Sequence, residues 1–376
     1  MATASTSNRT TDVAIIGGGI MGSAVAWRLA QRGVAVTVVE RGIPGAEASS
    51  AAAGILGPQM EAEGPGPLLD LGLASRGLYP SLAEELRDAT GIDVGYDRSG
   101  VLAAALDDDG ERELGERRAW QQRRSLNVAW LSGDEVRARE PALGPAIRAA
   151  LEFPEEGQVN ARELARAFSQ AAAAAGARFV TGRYVRRVVI EKGAATGVEL
   201  DGETLPAGTV VVAAGSWSGL VEGGGVPATV VRPARGQLVS IETRPPLFRH
   251  VVAVRGGYLV PRRDGTVLAG STVEMAGFRK QVTVGGLAAI LTLARTLVPA
   301  LSDAPVTDTW SNFRPYTEDH LPVLGATPVR GLVLATGHFR NGILLAPITA
   351  EAIAELVATG RSAIDLAPFS VTRFAA

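Results

Sequence analysis

The sequence predicts an α/β fold, α+β overall, in which a parallel-sheet domain is interleaved with a second domain on a mainly antiparallel sheet. Two observations support this prediction. The opening stretch TDVAIIGGGIMGSAVAWRLAQRGVAVTVVE has the order strand, glycine turn, helix, strand. Residues 230–270 instead alternate apolar runs with Gly-Gly and Asp-Gly turns, which is typical of an antiparallel meander.

The opening stretch contains a glycine motif. The apolar run Val13 to Ile16 has the pattern of a strand buried on both faces, and Gly17, Gly19 and Gly22 then match G-x-G-x-x-G. Glu40 closes the next strand, where a carboxylate can accept hydrogen bonds from a ribose diol. Together these features predict a Rossmann-like dinucleotide site, with a ligand-free glycine turn as the alternative. The motif does not distinguish FAD from NAD.

The remaining elements follow from apolar periodicity, caps and turn residues. Predicted helices cover residues 20–31, 67–90, 110–124, a short segment before 140, 161–175, 287–297 and 347–359. Predicted strands cover residues 36–39, 101–106, 178–181, 185–191, 197–200, 209–213, 230–241, 251–254, 258–261, 267–270, 306–313 and 332–336. We expect Pro80 to break its helix or to start a new one, and Ser132 with Glu135 to form a capping box.

The segment EASSAAAGILGPQ carries almost no large side chains. One interpretation is a closely packed helix start capped by Ser49 or Ser50. The other is a stretch of backbone that lies against a flat ligand.

Length and element order predict the domain organisation. At 376 residues the chain is long for one core. We assign residues 1–90, 151–228 and 312–376 to a discontinuous cofactor-binding domain. Residues 91–150 and 229–311 then form the substrate-binding domain.

Composition limits the classes of function. A net charge of −2 gives no electrostatic case for nucleic acid or an anionic membrane. The chain has 0 cysteines, which excludes disulfides and thiolate metal ligands and fits a reducing cytoplasm. Residues 1–11 are polar without a signal-peptide pattern, and we find no apolar run approaching the ~20 residues of a membrane span. His250 and His320 lack a second ligand at metal spacing, so no metal site is predicted.

With these segments placed, the whole chain resembles the D-amino-acid oxidase (DAO) family of FAD-dependent oxidoreductases, and within it the glycine oxidases of thiamine biosynthesis. The matching pieces are IIGGGIMGSAVAWRLA, SSAAAGILGPQ, VVVAAGSWSG, YLVPRRDG, WSNFRP and GHFRNGILLAP. The resemblance implies that the dinucleotide is FAD, bound non-covalently. It also implies a cytoplasmic enzyme that forms a homo-oligomer, a tetramer in the resembled family.

The resemblance implies a set of cofactor-binding residues. They are Gly17, Gly19, Ile20, Met21, Gly22, Glu40, Arg41, Ala48, Ser49, Ala53, Gly54, Ile55, Val185, Gly215, His338, Phe339, Arg340, Asn341, Gly342, Ile343 and Leu344. Independently of the resemblance, a Gly-rich loop that opens a helix directs N–H groups and a positive dipole end at its ligand.

The resemblance further implies that Arg314 clamps a substrate carboxylate, that Tyr258 supports the same carboxylate, and that Arg340 lies near the substrate. The alternatives are a surface ion pair for each arginine and a core aromatic for Tyr258. His338 is expected to pack or hydrogen-bond and not to act as a general base. Gly256 and Gly257, and the loop after Gly54, leave the preference among glycine, sarcosine and D-amino acids open.

The implied reaction is oxidative deamination by hydride transfer from the α-carbon to flavin N5. An imine forms and hydrolyses, and O2 is reduced to hydrogen peroxide. The rival interpretations are a dehydrogenase of the same fold that passes electrons to a quinone, a nicotinamide-dependent dehydrogenase, and a non-catalytic subunit that keeps FAD as structure.

Overall fold

The computed structural model describes residues 11–374. In this range the strands are β1 (Thr11–Ile16), β2 (Val36–Glu40), β3 (Ile55–Leu56), β4 (Val101–Ala105), β5 (Ala129–Ser132), β6 (Ala149–Phe153), β7 (Gly157–Gln158), β8 (Arg178–Thr181), β9 (Val185–Glu191), β10 (Ala194–Leu200), β11 (Glu203–Val212), β12 (Arg232–Glu242), β13 (Val251–Val254), β14 (Gly257–Pro261), β15 (Thr266–Gly270), β16 (Val306–Tyr316), β17 (Val323–Ala326) and β18 (Leu332–Thr336). The α-helices are α1 (Ile20–Gln31), α2 (Ala48–Ala51), α3 (Pro58–Glu61), α4 (Pro67–Thr90), α5 (Asp108–Arg123), α6 (Gly133–Arg139), α7 (Ala161–Ala174), α8 (Val284–Leu297) and α9 (Gly342–Thr359). The prediction for the polar N-terminus falls almost wholly on residues 1–10, outside the described range.

The first sheet contains the predicted Rossmann-like core. Its strand order is β17-β18-β11-β1-β2-β8, and every neighbouring pair from β18 to β8 is parallel. The β9–β10 hairpin extends from β11 in antiparallel register. Ile16 pairs with both Val39 and Val212, so the carboxyl ends of three strands meet at one edge. Ligands of such sheets bind at this edge.

Helices α1, α4, α7 and α9 cover one face of the first sheet. Trp27 of α1 packs edge-on against Phe168 of α7, with ring centroids 5.8 Å apart. Both rings are buried, and truncating either to alanine would cost about 3–5 kcal/mol. This packing fixes α1 and therefore the glycine turn that precedes it.

The second sheet is mainly antiparallel, as predicted. Its order is β16-β12-β15-β14-β13-β4-β6-β5, and only the β13–β4 pair among these strands is parallel. The strands of the two sheets alternate along the chain, so the two layers are interleaved. β6 and β16 extend across the predicted domain boundaries, and the boundaries themselves stay a prediction.

The prediction that Pro80 breaks its helix is wrong. Helix α4 continues through Pro80 from Pro67 to Thr90. Pro80 lies on the exposed side of the helix, where water can satisfy the carbonyl that loses its N–H partner. Leu82 and Leu86 on the opposite side are buried and hold the helix to the core.

Two further predictions need correction at the C-terminal helix. Helix α9 begins at Gly342, whereas the sequence predicts a start at Pro347, and Pro347 lies inside the helix. With the turn before it, this helix is long and apolar enough to cross a membrane by length and composition alone, contrary to our expectation. Most of it is buried against α1 and α4, which is typical of a core helix. Its apolar character therefore reflects packing inside the protein.

The local cap predictions have mixed outcomes. Ser132 and Glu135 form the predicted capping box at the start of α6. Asn160 caps α7 by accepting from the N–H groups of Arg162 and Glu163. Helix α5 begins at Asp108, two residues before the predicted start at residue 110, and Asp107 caps it by accepting from the N–H of Gly110. Strands β3, β5, β6, β7 and β17 were not predicted, because they are short or follow no strict alternation.

Candidate active site

A cavity opens between the two sheets at the carboxyl edge of the parallel strands. Its empty volume is about 1790 Å³, including the open mouth. It extends from Glu40 at the first sheet to Arg314 and Tyr258 at the second. The cavity thus joins the edge where a dinucleotide binds to the side chains predicted to hold a carboxylate.

Most of the predicted site residues lie on the wall of this cavity. The cofactor residues found there are Gly17, Gly19, Ile20, Met21, Glu40, Arg41, Ala48, Ser49, Ala53, Gly54, Ile55, Val185, Gly215, His338, Phe339, Arg340, Asn341, Gly342 and Ile343, and all three predicted substrate residues join them. Gly22 and Leu344 do not line the cavity in the described structure.

The glycine turn has the close contacts that the motif requires. Gly17 adopts a φ of +101°, and a Cβ there would lie 2.7 Å from the carbonyl oxygen of Ala213. A Cβ on Gly22 would lie 1.9 Å from the carbonyl oxygen of Gly17. Gly22 therefore serves helix–strand packing and does not face a ligand.

Glu40 is held by the backbone around it. Oε2 accepts from the N–H of Gly18 at 2.7 Å, and Oε1 accepts from the N–H of Gly42 at 2.8 Å. Each carboxylate oxygen has further lone pairs free for ribose hydroxyls. Beside it, the guanidinium of Arg41 stacks 3.8 Å above the ring of Trp217, a cavity residue that the sequence did not single out.

Ser49 caps a different helix from the one we predicted. Its Oγ accepts from the N–H of Ile20 at 2.9 Å, at the start of α1. The short helix α2 has Glu47 at its N-cap position and no side-chain cap bond. The interpretation of Ser49 or Ser50 as a cap for this segment is therefore wrong, and the segment lies instead along the cavity.

A half-buried arginine supports the small-residue segment from behind. Arg262 donates to the carbonyl oxygens of Ala53 at 2.6 Å and Val159 at 2.8 Å, and to Oε1 of Gln158 at 2.6 Å. Burial lowers the pKa of Arg262 to about 10. A Cβ on Gly54 would lie 1.9 Å from the carbonyl of Val159, so this backbone is tightly confined.

Arg314 presents its guanidinium to the cavity. Nη1 donates to the carbonyl of Thr272 at 3.1 Å, and Nη2 donates to Oγ of Ser271 at 2.6 Å. No carboxylate within residues 11–374 forms an ion pair with Arg314, so the surface ion-pair alternative is not observed. Burial lowers its pKa, while the nearby Tyr258 raises it. Arg314 is thus a held cation whose natural partner is an anion in the cavity.

Arg340 has a protein partner. Its Nη2 lies 2.8 Å from Oε1 of Glu61, and the two side chains are 38% and 23% exposed. The charge of Glu61 raises the pKa of Arg340. Both residues line the cavity. Arg340 therefore lies where a residue near the substrate is predicted, and it also forms an ion pair, as the alternative interpretation expects.

The loop from His338 to Asn341 leads directly into helix α9. His338 is buried, its Nε2 lies 3.1 Å from Oγ1 of Thr349, and burial lowers its pKa to about 3. A neutral, buried imidazole fits the predicted hydrogen-bonding role and does not fit a general base near neutral pH. Phe339 adopts a φ of +45°, a strained conformation that redirects the chain so that α9 begins at the cavity wall.

The other two histidines have structural surroundings. Nδ1 of His250 lies 2.6 Å from Oε1 of Glu140, and this carboxylate also accepts from the N–H groups of Arg249 and His250. The His320 ring packs against Tyr316 and Phe339. Within residues 11–374, no group of three or more His, Cys, Asp or Glu side chains is arranged to hold a metal ion.

Several residues of the site, one of them behind the cavity wall, have no motif that marks them in the sequence. Gly236 lies on the cavity wall against the guanidinium of Arg314. Ser271 and Thr272 hold that guanidinium, and Glu61 pairs with Arg340. For Gly236 the sequence does hold a signal, because a glycine inside a strand, here between Arg235 and Gln237, often marks a place where another group approaches the backbone closely. For the others, only the three-dimensional pairing brings them to the site.

The residues present fit an extended dinucleotide. The first turns of α1 and α9 both open onto the cavity, and a helix N-terminus favours phosphate or another anionic group. The glycine cradle at Gly17 leaves no room for side chains, and Glu40 has acceptors to spare. The donor set and the acceptor are those that a dinucleotide requires.

Comparisons with known proteins agree with this geometry. The sequence profile of the family described as FAD dependent oxidoreductase (DAO) matches residues 12–356. The glycine oxidase of Geobacillus kaustophilus is 40% identical over 367 residues, covering 96% of this chain and 97% of that protein. The bifunctional protein ThiO/ThiG of Synechocystis sp. is 38% identical over 372 residues, covering 97% of this chain and 54% of the longer relative. The crystal structure of glycine oxidase from Geobacillus kaustophilus gives a TM-score of 0.93 at 39% identity, covering 97% of this chain and 99% of that chain.

Proposed function

Since the chain belongs to the DAO family of FAD-dependent oxidoreductases, we propose that it is an amino-acid oxidase that acts on glycine and other small amines. The overall reaction converts the amino acid, water and O2 into the oxo acid, ammonia or an amine, and hydrogen peroxide. The relative at 40% identity, which is named a glycine oxidase, supports glycine as the first substrate to test. The proposed function also includes the role in thiamine biosynthesis that the family resemblance predicts.

The site residues are part of this proposal. Glu40 and Arg41, with the first turn of α1, would bind the adenosine and pyrophosphate half of FAD. The backbone from Ala53 to Ile55 and the loop from His338 to Ile343 would bind the flavin half. When bound, FAD supplies the oxidising chemistry, because its ring system accepts a hydride from a substrate carbon and returns the electrons to O2.

The proposal rests on the N–H groups of the Arg314 guanidinium that no acceptor in the described part of the chain uses. Each of its two Nη atoms uses one N–H, for Thr272 or Ser271, and has one N–H left. Two N–H groups on one planar guanidinium match the two oxygens of a carboxylate. Bound in this way, with the Tyr258 hydroxyl beside it, a small amino acid would have its α-carbon oriented toward the flavin half of the cavity.

Three side chains of the cavity that could otherwise act as proton acceptors are already engaged. Glu61 is paired with Arg340, the neutral His338 contacts Thr349, and Glu40 accepts from backbone N–H groups. This arrangement agrees with a substrate that enters the reaction as the neutral amine, because hydride loss from a neutral amine needs no protein base.

Substrate breadth is part of the proposal. Gly256, with Arg255, forms the turn between β13 and β14, whereas Gly257 is the first residue of β14, and neither glycine is on the cavity wall. A Cβ on Gly257 would lie 2.5 Å from the carbonyl of Gly270 and from Cδ2 of Leu293, so its space is filled by packing. Of the loop after Gly54, Ile55, Gly57 and Glu61 face the cavity. We therefore propose that small substrates such as glycine and sarcosine are favoured.

The test is an anaerobic absorbance titration of the purified flavoprotein with glycine, sarcosine, D-alanine and D-proline. Glycine is expected to bleach the flavin. Arg314→Ala is expected to raise the glycine KM on the order of a hundredfold, since two charge-assisted hydrogen bonds are lost. Arg255→Ala, which removes an exposed ion pair with Glu113, serves as the control. An unchanged KM for Arg314→Ala would refute the clamp, and a colourless protein would refute the flavoprotein assignment.

A further inference from the structure

Helix α9 contains a proline close to the end that faces the cavity. Pro347 has no N–H, so the carbonyl of Ile343, four residues earlier, cannot receive its helical hydrogen bond. Both residues are buried, and the carbonyl of Ile343 lies in a buried contact with α4. An unpaired buried carbonyl would cost about 1–3 kcal/mol, so a partner is needed at this position.

Helix α4 supplies that partner. The hydroxyl of Tyr79 donates to the carbonyl oxygen of Ile343, and Oγ of Ser75 donates to the carbonyl oxygen of Leu344 at 2.6 Å. Tyr79 and Ser75 are both 0% exposed and lie one helical turn apart on one face of α4. They form a pair of buried donors beside the proline.

Helices α4 and α9 pack directly on each other where the hydroxyl groups reach across. Gly72 lies one turn before Ser75, and a Cβ there would lie 2.9 Å from Cβ of Pro58 in α3 and 3.4 Å, an ordinary contact distance, from Cδ2 of Leu344 in α9. This contact is part of the core on one side of the parallel sheet.

The braced turn is the one that opens onto the cavity. Gly342 and Ile343 line the cavity wall, whereas Leu344, Tyr79 and Ser75 lie behind it. Tyr79 and Ser75 hold two backbone carbonyls of this turn in place. The direction of the N–H groups of the turn follows from the positions of these carbonyls.

We propose that Tyr79 and Ser75 are positioning residues of the FAD site. They hold the first turn of α9 in register across Pro347, so that its N–H groups and positive dipole end face the flavin. This inference rests on the proposed flavin-binding role of the His338–Ile343 loop. A positive helix end beside the ring system favours the reduced, anionic flavin, so loosening the turn should lower the reduction potential and weaken FAD binding.

The experiment is a mutant cycle on the holoenzyme with Tyr79→Phe, Pro347→Ala and the double variant. Tyr79→Phe removes only the hydroxyl, and the FAD dissociation constant is expected to rise about tenfold, the size of one lost donor to a buried acceptor. FAD release is measured by flavin fluorescence on dilution, and the reduction potential by equilibration with a reference dye. The potential should become more negative in Tyr79→Phe.

Pro347→Ala provides the decisive comparison, because the alanine has an N–H that can donate to the carbonyl of Ile343. In this background Tyr79→Phe should change the dissociation constant and the potential at most slightly. Tyr96→Phe is the matched control: its ring stacks on Tyr79 at 6.2 Å, and its hydroxyl has no hydrogen bond within the described residues. Ser75→Ala is the second variant, and a smaller shift in the same direction is expected.

The outcomes separate the two proposals. Wild-type protein that binds no FAD would refute the proposed function itself. Wild-type protein that binds FAD, with Tyr79→Phe altering only thermal stability, would refute the positioning role. Equal effects of Tyr79→Phe in the wild-type and Pro347→Ala backgrounds would also refute it, because the hydroxyl would then act independently of the proline.

Discussion

The guanidinium of Arg314 occupies the space where residue 236 would carry a side chain. A Cβ on Gly236 would lie 2.1 Å from Nη1 and 2.5 Å from Cζ of Arg314. The arginine can reach the cavity only across a bare backbone. The two residues lie on neighbouring strands, β12 and β16, so the strand register sets this contact.

Gly236→Ala should therefore displace Arg314 without removing it. We expect the glycine KM to rise about tenfold or more, since loss of one good charge-assisted hydrogen bond is worth about 1.5–3 kcal/mol. Steady-state kinetics with glycine measures the change. Gly285→Ala on α8 is the matched control, because a Cβ there meets nothing within 4 Å. A wild-type KM in Gly236→Ala would show that the arginine does not bind the substrate from its observed position.

Glu274 stabilises the segment that holds Arg314. Its Oε1 accepts from Oγ1 of Thr272 at 2.6 Å and from Nε2 of Gln237 at 2.6 Å, and Oε2 pairs with Arg235. The carbonyl of the same Thr272 accepts from Arg314. Glu274→Gln should weaken one of the hydrogen bonds that connect Glu274 through Thr272 to Arg314. We therefore expect the glycine KM to rise about fivefold and kcat to stay within about twofold.

The control for Glu274→Gln is Glu242→Gln. Glu242 is at the end of the same strand as Gln237 and pairs with Arg244 in an exposed position. Its neutralisation should leave KM unchanged. A fall in kcat with unchanged KM for Glu274→Gln would contradict a positioning role toward the carboxylate clamp.

Variants of Arg340 and Glu61 can show whether Arg340 contacts the substrate or serves only its ion pair with Glu61. If Arg340 approaches the substrate, as we predict, Arg340→Gln should raise the glycine KM severalfold in both the wild-type and the Glu61→Gln backgrounds. If the arginine serves only its pair with Glu61, the second background should show no further effect. KM values for the four proteins, measured at one pH, decide between the two.

The electron acceptor is tested by reoxidation. After anaerobic reduction with glycine, admission of air should restore the flavin absorbance and release one hydrogen peroxide per glycine consumed. The relatives named as glycine oxidases support this outcome over the quinone-dependent dehydrogenase. Slow reoxidation without peroxide, together with fast reduction of an added quinone, would favour the dehydrogenase.

Most of the fold could be predicted because its signals are local. The bounds of α1 and of β8, β9 and β18 were predicted correctly, since glycine turns and apolar runs define them. The failures at Pro80 and Pro347 have one origin. A proline inside a helix is tolerated when water or a neighbouring side chain satisfies the freed carbonyl, and the sequence does not show which carbonyl has such a partner.

The candidate site could be predicted only in part, for a similar reason. Glu40 and Arg314 are recognisable from motifs that surround them in the chain. Gly236 and Thr272 matter through contacts with Arg314 that strand pairing creates, and Glu61 through its contact with Arg340. Such contacts join residues far apart in sequence, so a single sequence carries no signal for them.

The last prediction concerns pH and the buried Glu156. Its carboxylate is 0% exposed and accepts from the N–H of Gln59 at 2.5 Å and of Met60 at 3.3 Å, which ties it to α3. Burial raises the pKa of Glu156 to about 8, from 4.5 for an ordinary glutamate. Between these values the unfolded chain releases the proton and the folded chain retains it. Stability therefore falls as pH rises through this window, by at most about 1.4 kcal/mol per pH unit.

Glu156→Gln removes this proton without removing the acceptor for α3. Urea unfolding at pH 5, 6.5 and 8 should show the variant gaining stability relative to wild type as the pH rises. Glu135→Gln is the comparison, because its carboxylate is exposed and its pKa is lowered by hydrogen bonds from Ser132, so its linkage has the opposite sign and lies at lower pH. A pH-independent difference between Glu156→Gln and wild type would show that Glu156 ionises in the folded protein as it does in the unfolded chain.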